Sequence, residues 1–214
     1  MCNSSKLHSI YVFDFDGTLI HSNEVKRNTF IGLAHTDEEK SLMVSILTKQ
    51  SLNRYEIIEL FCKSTSLPYE NLIQEFNLNL EKSLKKAKTR MGANFILRQL
   101  IKSNALLFIN SATPDKPLRI LAEHHFPGAF KYNNIYGLTM NKMNTIYEII
   151  TRCGCRKDEL IFIGDGKDDY EAAMSLGVHF CAVGGGTLEA FDPSLEYINN
   201  LRYVEKKYKD IVPY

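Results

Sequence analysis

Short apolar runs, each followed by a segment with helical periodicity, constrain the fold of this 214-residue chain more than any other feature. Apolar runs bounded by turn residues predict buried strands, and their alternation with helices predicts a parallel sheet. We therefore expect an α/β fold with a Rossmann-like, doubly wound parallel sheet as its core. The predicted strands are residues 10–15, 106–110, 134–136, 160–163 and 178–183, and the predicted helices between them are residues 94–102, 116–125, 144–152 and 170–176.

The segment between the first two predicted strands breaks this alternation. Residues 21–90 contain no strand pattern and show helical periodicity over residues 24–34, 37–48, 53–63 and 68–86, with Pro68 in the first turn of the last helix. We predict two domains: a core domain formed by residues 1–20 and 91–214, and an inserted helical domain formed by residues 21–90. A terminal helix is expected over residues 196–209.

Composition and charge exclude several classes of protein. The apolar fraction is 44%, the charged fraction is 24% and the net charge is +1, so neither disorder nor a nucleic-acid partner is expected. No apolar run reaches the length of a signal peptide or a membrane span, so we expect no membrane partner. The five cysteines are scattered, which is typical of a reducing compartment. A cytoplasmic location follows as an expectation, whereas the sequence does not predict the oligomeric state.

The first predicted strand runs into two carboxylates. Asp14 and Asp16 are two residues apart and project to the same side of an extended strand, while Gly17 allows a sharp turn after them. Adjacent carboxylates repel each other, so the pair costs stability unless a cation or a reaction uses it. The alternative is that both residues cap a loop beyond a shorter strand. A ligand site is favoured, because α/β proteins bind ligands at the carboxyl edge of the sheet.

The sequence Asp-Phe-Asp-Gly-Thr-Leu at residues 14–19 resembles the D-x-D-G-T motif that opens the haloacid dehalogenase superfamily. The resemblance implies that Asp14 is a nucleophile and that Asp16 protonates the leaving-group oxygen and later activates water. Members that are true dehalogenases lack the second acid, so Asp16 favours phosphoryl transfer. The implied activity is that of a phosphatase acting on a small phosphorylated metabolite. A phosphomutase and a non-catalytic phosphate-binding or partner-binding protein of the same fold are the alternatives.

A second acidic turn, Gly-Asp-Gly-Lys-Asp-Asp at residues 164–169, is similar to the G-D-x-x-x-D motif of this superfamily. A phosphate dianion about 4 Å from a carboxylate is repelled by roughly 4 kcal/mol per charge pair at an effective dielectric near 20, so the site requires a cation. Oxygen ligands suit Mg²⁺. By resemblance, Asp14 and Asp165 supply side-chain oxygens and Asp16 its backbone carbonyl, while Asp169 bonds to the waters of the metal or to a lysine.

Two weaker matches complete the resemblance. Ser111 follows the second predicted strand, and its hydroxyl and the N–H of Ala112 are implied to hold the phosphate, although a serine at this place is often only a helix cap. Lys142 lies at a helix start, which is the unfavourable end of the helix dipole for a cation. It is the implied partner of the nucleophile and the phosphate, with a surface lysine as the alternative reading. Lys131 is a distant substitute, because Met143 stands where many relatives have proline.

The inserted helical domain resembles the small cap of phosphoglycolate phosphatase and β-phosphoglucomutase relatives. Such a cap selects the substrate. Lys49 and Arg54 lie in a polar stretch of this domain and are candidates for contacting an anionic substrate group, although exposed charges on helices more often serve only solvation. The three glycines at residues 184–186 lack the sequel of a P-loop and predict a tight loop near the site.

Overall fold

The computed structural model describes residues 10–49, 52–138 and 140–204. Within these residues, five parallel strands form one sheet in the order β3-β2-β1-β4-β5. The expected doubly wound α/β fold is confirmed. The strands are β1 (Ile10–Phe13), β2 (Leu106–Asn110), β3 (Ile135–Tyr136), β4 (Leu160–Gly164) and β5 (His179–Ala182).

Helices cover both faces of this sheet, as a parallel sheet requires. Ile10 and Val12 of β1 face one layer, where they join a buried cluster that includes Ile146 and Ala173. Phe13 faces the other side, and its ring centroid lies 6.4 Å from that of Phe130. The helices of this unit are α5 (Ala93–Lys102), α6 (Asp115–His125), α7 (Lys142–Cys153), α8 (Lys167–Leu176) and α9 (Thr187–Phe191).

The first strand ends at Phe13, two residues earlier than predicted. The backbone turns beyond Asp16, over residues 17–19, where the N–H groups of Leu19 and Ile20 donate to the carbonyl oxygen of Phe15 at 3.0 and 3.2 Å. Asp14 itself still donates its N–H to Ile163 of β4 at 2.8 Å. Both aspartates therefore lie beyond the end of β1 and before the turn, with Asp16 in an isolated bridge to Ile20.

Among the described residues, those within Ser22–Ala87 form a compact helical unit of their own, whereas those up to His21 and from Lys88 onward form the other unit. The helical unit shares residues 22–87 with the predicted insert. Thr36 and Asn53 begin two of its helices with reciprocal capping boxes. Pro68 is the N-cap of the last helix, one residue before the predicted first-turn position. The four helices are α1 (Asn23–Ile31), α2 (Asp37–Leu47), α3 (Arg54–Thr65) and α4 (Tyr69–Leu84).

The predicted terminal helix over residues 196–209 is wrong for its first five residues. Ile198 instead pairs with Val183 in a parallel bridge and donates its N–H to Ala182 at 2.9 Å, which holds this stretch in an extended conformation. Leu201–Tyr203 forms a single 3₁₀ turn, and residues 205–209 lie outside the described part of the chain. None of the described helices has the length and apolar character that a transmembrane span requires.

Candidate active site

Three buried carboxylates meet where the strand order reverses. The chain runs from β1 to β2 and β3 on one side, then crosses to β4 and β5 on the other, and ligands bind at such a switch point beyond the carboxyl ends of the strands. Asp14 follows β1, Asp165 follows the neighbouring β4, and Asp169 lies in the first turn of α8. They are 3%, 5% and 0% exposed, and their carboxylate oxygens lie within 4.8 Å of one another.

The ammonium group of Lys142 contacts two of these three carboxylates and also that of Asp168. Its Nζ lies 3.2 Å from Asp14 Oδ1 and 3.1 Å from Asp168 Oδ2, and it also donates a hydrogen bond to Asp169 Oδ1. Its side chain is only 13% exposed. The second carboxylate oxygen of Asp169, Oδ2, accepts a hydrogen bond from the backbone N–H of Gly166 at 2.9 Å. The buried ammonium of Lys142 thus links the residue that follows β1 to the first turn of α8.

The backbone of Lys142 is held by the last residue of β2. Asn110, the last residue of β2, donates its side-chain N–H to the carbonyl oxygen of Lys142 at 3.0 Å. Asn141 caps α7, with its side-chain oxygen accepting from the N–H of Asn144 at 2.8 Å. These contacts fix the first turn of α7, in which Met143 follows the lysine.

The electrostatics of the cluster favour an additional cation. Burial raises the pKa of Asp14 well above its usual value, Lys142 opposes this rise, and the neighbouring carboxylates add to it. Burial likewise raises the pKa of Asp169 to about 7. Burial alone would lower the pKa of Lys142, but its carboxylate contacts outweigh burial and raise it well above the usual value. A single ammonium therefore leaves the cluster short of positive charge.

The donor set fits a hard divalent cation. Carboxylate oxygens are the ligands that Mg²⁺ prefers, and three of them converge here. Thr18 Oγ1 donates to Asp165 Oδ1 at 3.2 Å, which orients one of these carboxylates. A Cβ at Gly186 would lie 2.3 Å from Asp165 Oδ2, so only glycine allows this loop to approach the carboxylate. The residues present therefore suit a magnesium ion.

The loop after β2 carries the predicted phosphate-binding residues. Ser111 is 2% exposed and donates its N–H to the carbonyl oxygen of Tyr136 at 3.0 Å, whereas Ala112 is exposed. The Ser111 hydroxyl accepts from the N–H of Thr113 at 3.1 Å. Thr113 Oγ1 in turn donates to Asp16 Oδ2 at 2.5 Å. The loop therefore connects Ser111 with the second aspartate of the first motif.

Sequence reasoning missed Arg90, which was placed at the end of the predicted insert. Its guanidinium is buried and donates to the carbonyl oxygens of Gly17 and Gly184, the latter at 3.1 Å. Burial lowers the pKa of Arg90, and Asp165 opposes this effect. Because Arg90 ends a stretch rich in lysine, nothing in the sequence distinguishes it from a surface cation.

The other predicted basic residues belong to different elements of the chain. Lys131 is exposed at the start of the 3₁₀ turn Tyr132–Asn134, and Lys142 is the lysine that contacts Asp14. Lys49 and Arg54 belong to the helical unit: Lys49 is exposed just after α2, and Arg54 is the partly buried first residue of α3. Residues 50 and 51 between them are outside the described ranges.

Comparison with known proteins supports the family resemblance. The sequence profile described as haloacid dehalogenase-like hydrolase matches residues 11–183. No curated protein matches the sequence.

Several solved structures share the fold at low sequence identity. A Thermotoga maritima protein described as a β-phosphoglucomutase has a TM-score of 0.74 and 13% identity, with 95% of this chain and 100% of that chain covered. A Clostridium difficile protein described as a phosphatase has a TM-score of 0.72 and 18% identity, with 94% and 98% covered. CbbY from Rhodobacter sphaeroides, in complex with xylulose-(1,5)-bisphosphate, has a TM-score of 0.68 and 15% identity, with 90% and 94% covered.

Proposed function

Because this chain belongs to the haloacid dehalogenase-like hydrolases, we propose that it is a magnesium-dependent phosphatase that hydrolyses a small phosphomonoester through an aspartyl-phosphate on Asp14. The observation that carries the proposal is the convergence of three buried carboxylates and the Lys142 ammonium at the switch point of the sheet. Burying this cluster of charged side chains costs stability, which is typical of groups that serve a ligand or a reaction.

The proposed metal site uses residues from two neighbouring strands. Asp14 and Asp165 would hold Mg²⁺ through side-chain oxygens and Asp16 through its backbone carbonyl, while Asp169 would bond to the waters of the ion in addition to Lys142. When bound, the ion would neutralise the charge that the phosphate brings to this acidic cluster. The raised pKa values of Asp14 and Asp169 support this assignment, because a nearby cation favours their ionised forms.

The chemistry then follows from the two acids of the first motif. A carboxylate oxygen of Asp14 forms a bond to phosphorus as the ester P–O bond breaks, and Asp16 gives its proton to the departing oxygen. Asp16, now a carboxylate, takes a proton from water as the water oxygen attacks phosphorus. The bond between phosphorus and Asp14 breaks, which releases phosphate and restores both residues to their starting states.

Three groups are proposed to hold the phosphoryl group during transfer. They are the hydroxyl of Ser111, the N–H of Ala112 and the ammonium of Lys142. The contact between Lys142 and Asp14 supports this role, since a group 3.2 Å from the nucleophile lies close to any phosphate that the nucleophile attacks.

The substrate is proposed to be a small phosphorylated metabolite in the cytoplasm. The helical unit would act as a cap that selects the substrate, and Lys49 and Arg54 are its candidate contacts for an anionic group. Alanine variants at these two positions should raise KM for the best substrate and leave kcat nearly unchanged. Loss of kcat instead of affinity would contradict a role in substrate selection.

Phosphate release from a broad panel of phosphorylated metabolites tests the proposal, measured once with magnesium and once with a chelator. We expect magnesium-dependent release from at least one substrate and none above background for Asp14→Asn. Asp158→Asn is the matched control, because it makes the same change at an exposed carboxylate that pairs with Arg156. Activity of Asp14→Asn equal to wild type would refute the assignment.

A phosphomutase is the second candidate, favoured by the structural similarity to the protein described as a β-phosphoglucomutase. It would use the same core residues but return the phosphoryl group to a sugar. Isomerisation of a hexose phosphate that is faster than phosphate release would favour this alternative. No magnesium-dependent activity on the whole panel would instead favour a non-catalytic binding protein.

A further inference from the structure

We propose that Thr113 is a positioning residue that holds the Asp16 carboxyl group in place for proton transfer. The inference rests on the proposed phosphatase function and adds a residue that no sequence motif identified. Thr113 follows Ser111 and Ala112 in the loop after β2, 97 residues away from Asp16 in the sequence. The inference uses its hydroxyl, which contacts Asp16, and its backbone N–H, which contacts Ser111.

The contact between the two side chains is short and sheltered. Thr113 Oγ1 lies 2.5 Å from Asp16 Oδ2, at the short end of the range for hydrogen bonds between two oxygen atoms. Thr113 is only 5% exposed, so water competes little for this hydrogen bond. When Oδ2 accepts from the threonine, the acidic proton of Asp16 belongs on Oδ1. The bond would therefore decide which oxygen faces the leaving group.

The backbone of Thr113 is fixed from two directions. Its N–H donates to Ser111 Oγ at 3.1 Å, and its carbonyl oxygen accepts from the N–H of Leu138 at 3.1 Å. Gly137 lies so close that a Cβ there would be 2.5 Å from the carbonyl oxygen of Thr113. Because a β-branched side chain also has few rotamers, the hydroxyl is held in one direction.

This arrangement ties the acid to the group that binds phosphate. Asp16 belongs to the turn after β1, whereas Ser111 belongs to the loop after β2. Thr113 contacts both through hydrogen bonds of 2.5 and 3.1 Å. A general acid must stay within hydrogen-bond reach of the oxygen that it protonates. Thr113 would keep that distance by linking Asp16 to the residue that locates the phosphoryl group.

Two substrates with different leaving groups separate this role from a merely structural one. 4-Nitrophenyl phosphate releases a weakly basic phenolate that needs no proton, whereas an alkyl phosphate releases a strongly basic alkoxide that does. For Thr113→Val we expect kcat/KM on the alkyl phosphate to fall about tenfold or more, since general acid catalysis contributes about 10²–10⁴-fold. The value for 4-nitrophenyl phosphate should stay within about threefold of wild type. Thr113→Ser, which keeps the hydroxyl, should restore most of the alkyl activity.

A double-mutant cycle with Asp16→Asn completes the test. In that background, Thr113→Val should cause no further loss on the alkyl phosphate, because the group that it positions is already gone. Equal losses on both substrates, or an undiminished alkyl activity in Thr113→Val, would overturn the proposal.

A crystal structure of Thr113→Val gives a readout that does not depend on turnover. We expect the Asp16 carboxyl group to leave its wild-type position in Thr113→Val and to keep it in Thr113→Ser. An unmoved carboxyl group in the valine variant would overturn the proposal. Wild-type protein that releases phosphate from no substrate of the metabolite panel, alkyl phosphates included, would refute the proposed phosphatase function instead, so the two failures are distinguishable.

Discussion

At the scale of a single residue, the contacts of Lys142 show why the site needs both the position and the charge of this lysine. Its ammonium contacts Asp14, Asp168 and Asp169, and its side chain is 13% exposed. Removing one partner of a buried charge cluster leaves the other charges uncompensated, which typically destabilises a protein by about 3–5 kcal/mol. The contacts therefore make Lys142 important for stability as well as for the proposed reaction.

Replacing Lys142 with alanine should lower kcat by about a hundredfold or more and lower the free energy of unfolding measured in the absence of metal. Steady-state kinetics and urea denaturation measure the two effects. Lys131→Ala is the matched control, because Lys131 is exposed and should affect neither quantity. Comparable losses of kcat and of the free energy of unfolding in Lys142→Ala and Lys131→Ala would show that the charge of Lys142 has no special role.

The raised pKa of Asp169 predicts a pH dependence of stability. Burial raises this pKa from 3.8 to about 7 in the folded protein. The folded state thus binds the proton more tightly than the unfolded state, so the stability contribution is present below about pH 4 and is lost as pH rises to 7. Without metal, the melting temperature of wild type should fall relative to that of Asp169→Asn between pH 5 and pH 8. Parallel melting curves for the two proteins across this range would contradict the prediction.

Individual residues differ in how far the sequence could reveal them. Asp14, Asp16 and Asp165 stand in short motifs after apolar strands, and the resemblance of those motifs to the superfamily's implied their roles. Thr113 and Arg90 act through hydrogen bonds to residues 97 and 73 positions away. Such contacts are made only when distant segments pack together, and a single sequence contains no local pattern that reports them.

At the scale of secondary-structure elements, the loop after β2 depends on the end of β3. Gly137 donates its N–H to Asp115 Oδ1 at 2.9 Å, and an added Cβ would lie 2.6 Å from the N atom of Asp115. Residues 111–115 and 136–138 therefore form one packed corner. The position of Ser111 and Thr113 is set by this corner as much as by β2.

Gly137→Ala should displace the loop, because the new methyl group would overlap backbone atoms that have little freedom to move. We expect a stability loss of about 1–3 kcal/mol and a roughly tenfold lower kcat/KM, measured by denaturation and steady-state kinetics. Gly128→Ala is the control, since a Cβ there has open space and only its φ of +68° costs about 1 kcal/mol. Full activity of Gly137→Ala would show that the corner does not hold the loop.

Element bounds were predictable where apolar periodicity marks them and less so elsewhere. The predicted bounds of the second strand are those of β2, because its first four residues are apolar and Asn110 ends it at the carboxyl edge of the sheet. α8 begins at Lys167, three residues before its predicted start, since its first turn is polar and carries no apolar period. The sequence predicted a helix around Ile198, where the structure has an extended stretch. This stretch pairs with the backbone of the distant residue Val183, and no local pattern in the sequence indicates that pairing.

At the scale of the whole molecule, topology places the acidic groups together. β1 and β4 are neighbours in the sheet although Ile10 and its partner Leu160 lie 150 positions apart along a chain with a helical unit in between. The alternation of strand and helix patterns in the sequence predicted this fold and the edge of the sheet at which the candidate site lies. It did not predict the substrate, because specificity depends on side chains whose placement no periodicity determines.

The most direct test of the account is mass spectrometry of the protein quenched in acid during turnover with magnesium. We predict a phosphoryl group on the peptide that contains Asp14, absent in Asp14→Asn and absent when a chelator replaces magnesium. Phosphate release by wild type without any phosphorylated Asp14, or with the phosphoryl group on another residue, would contradict the account.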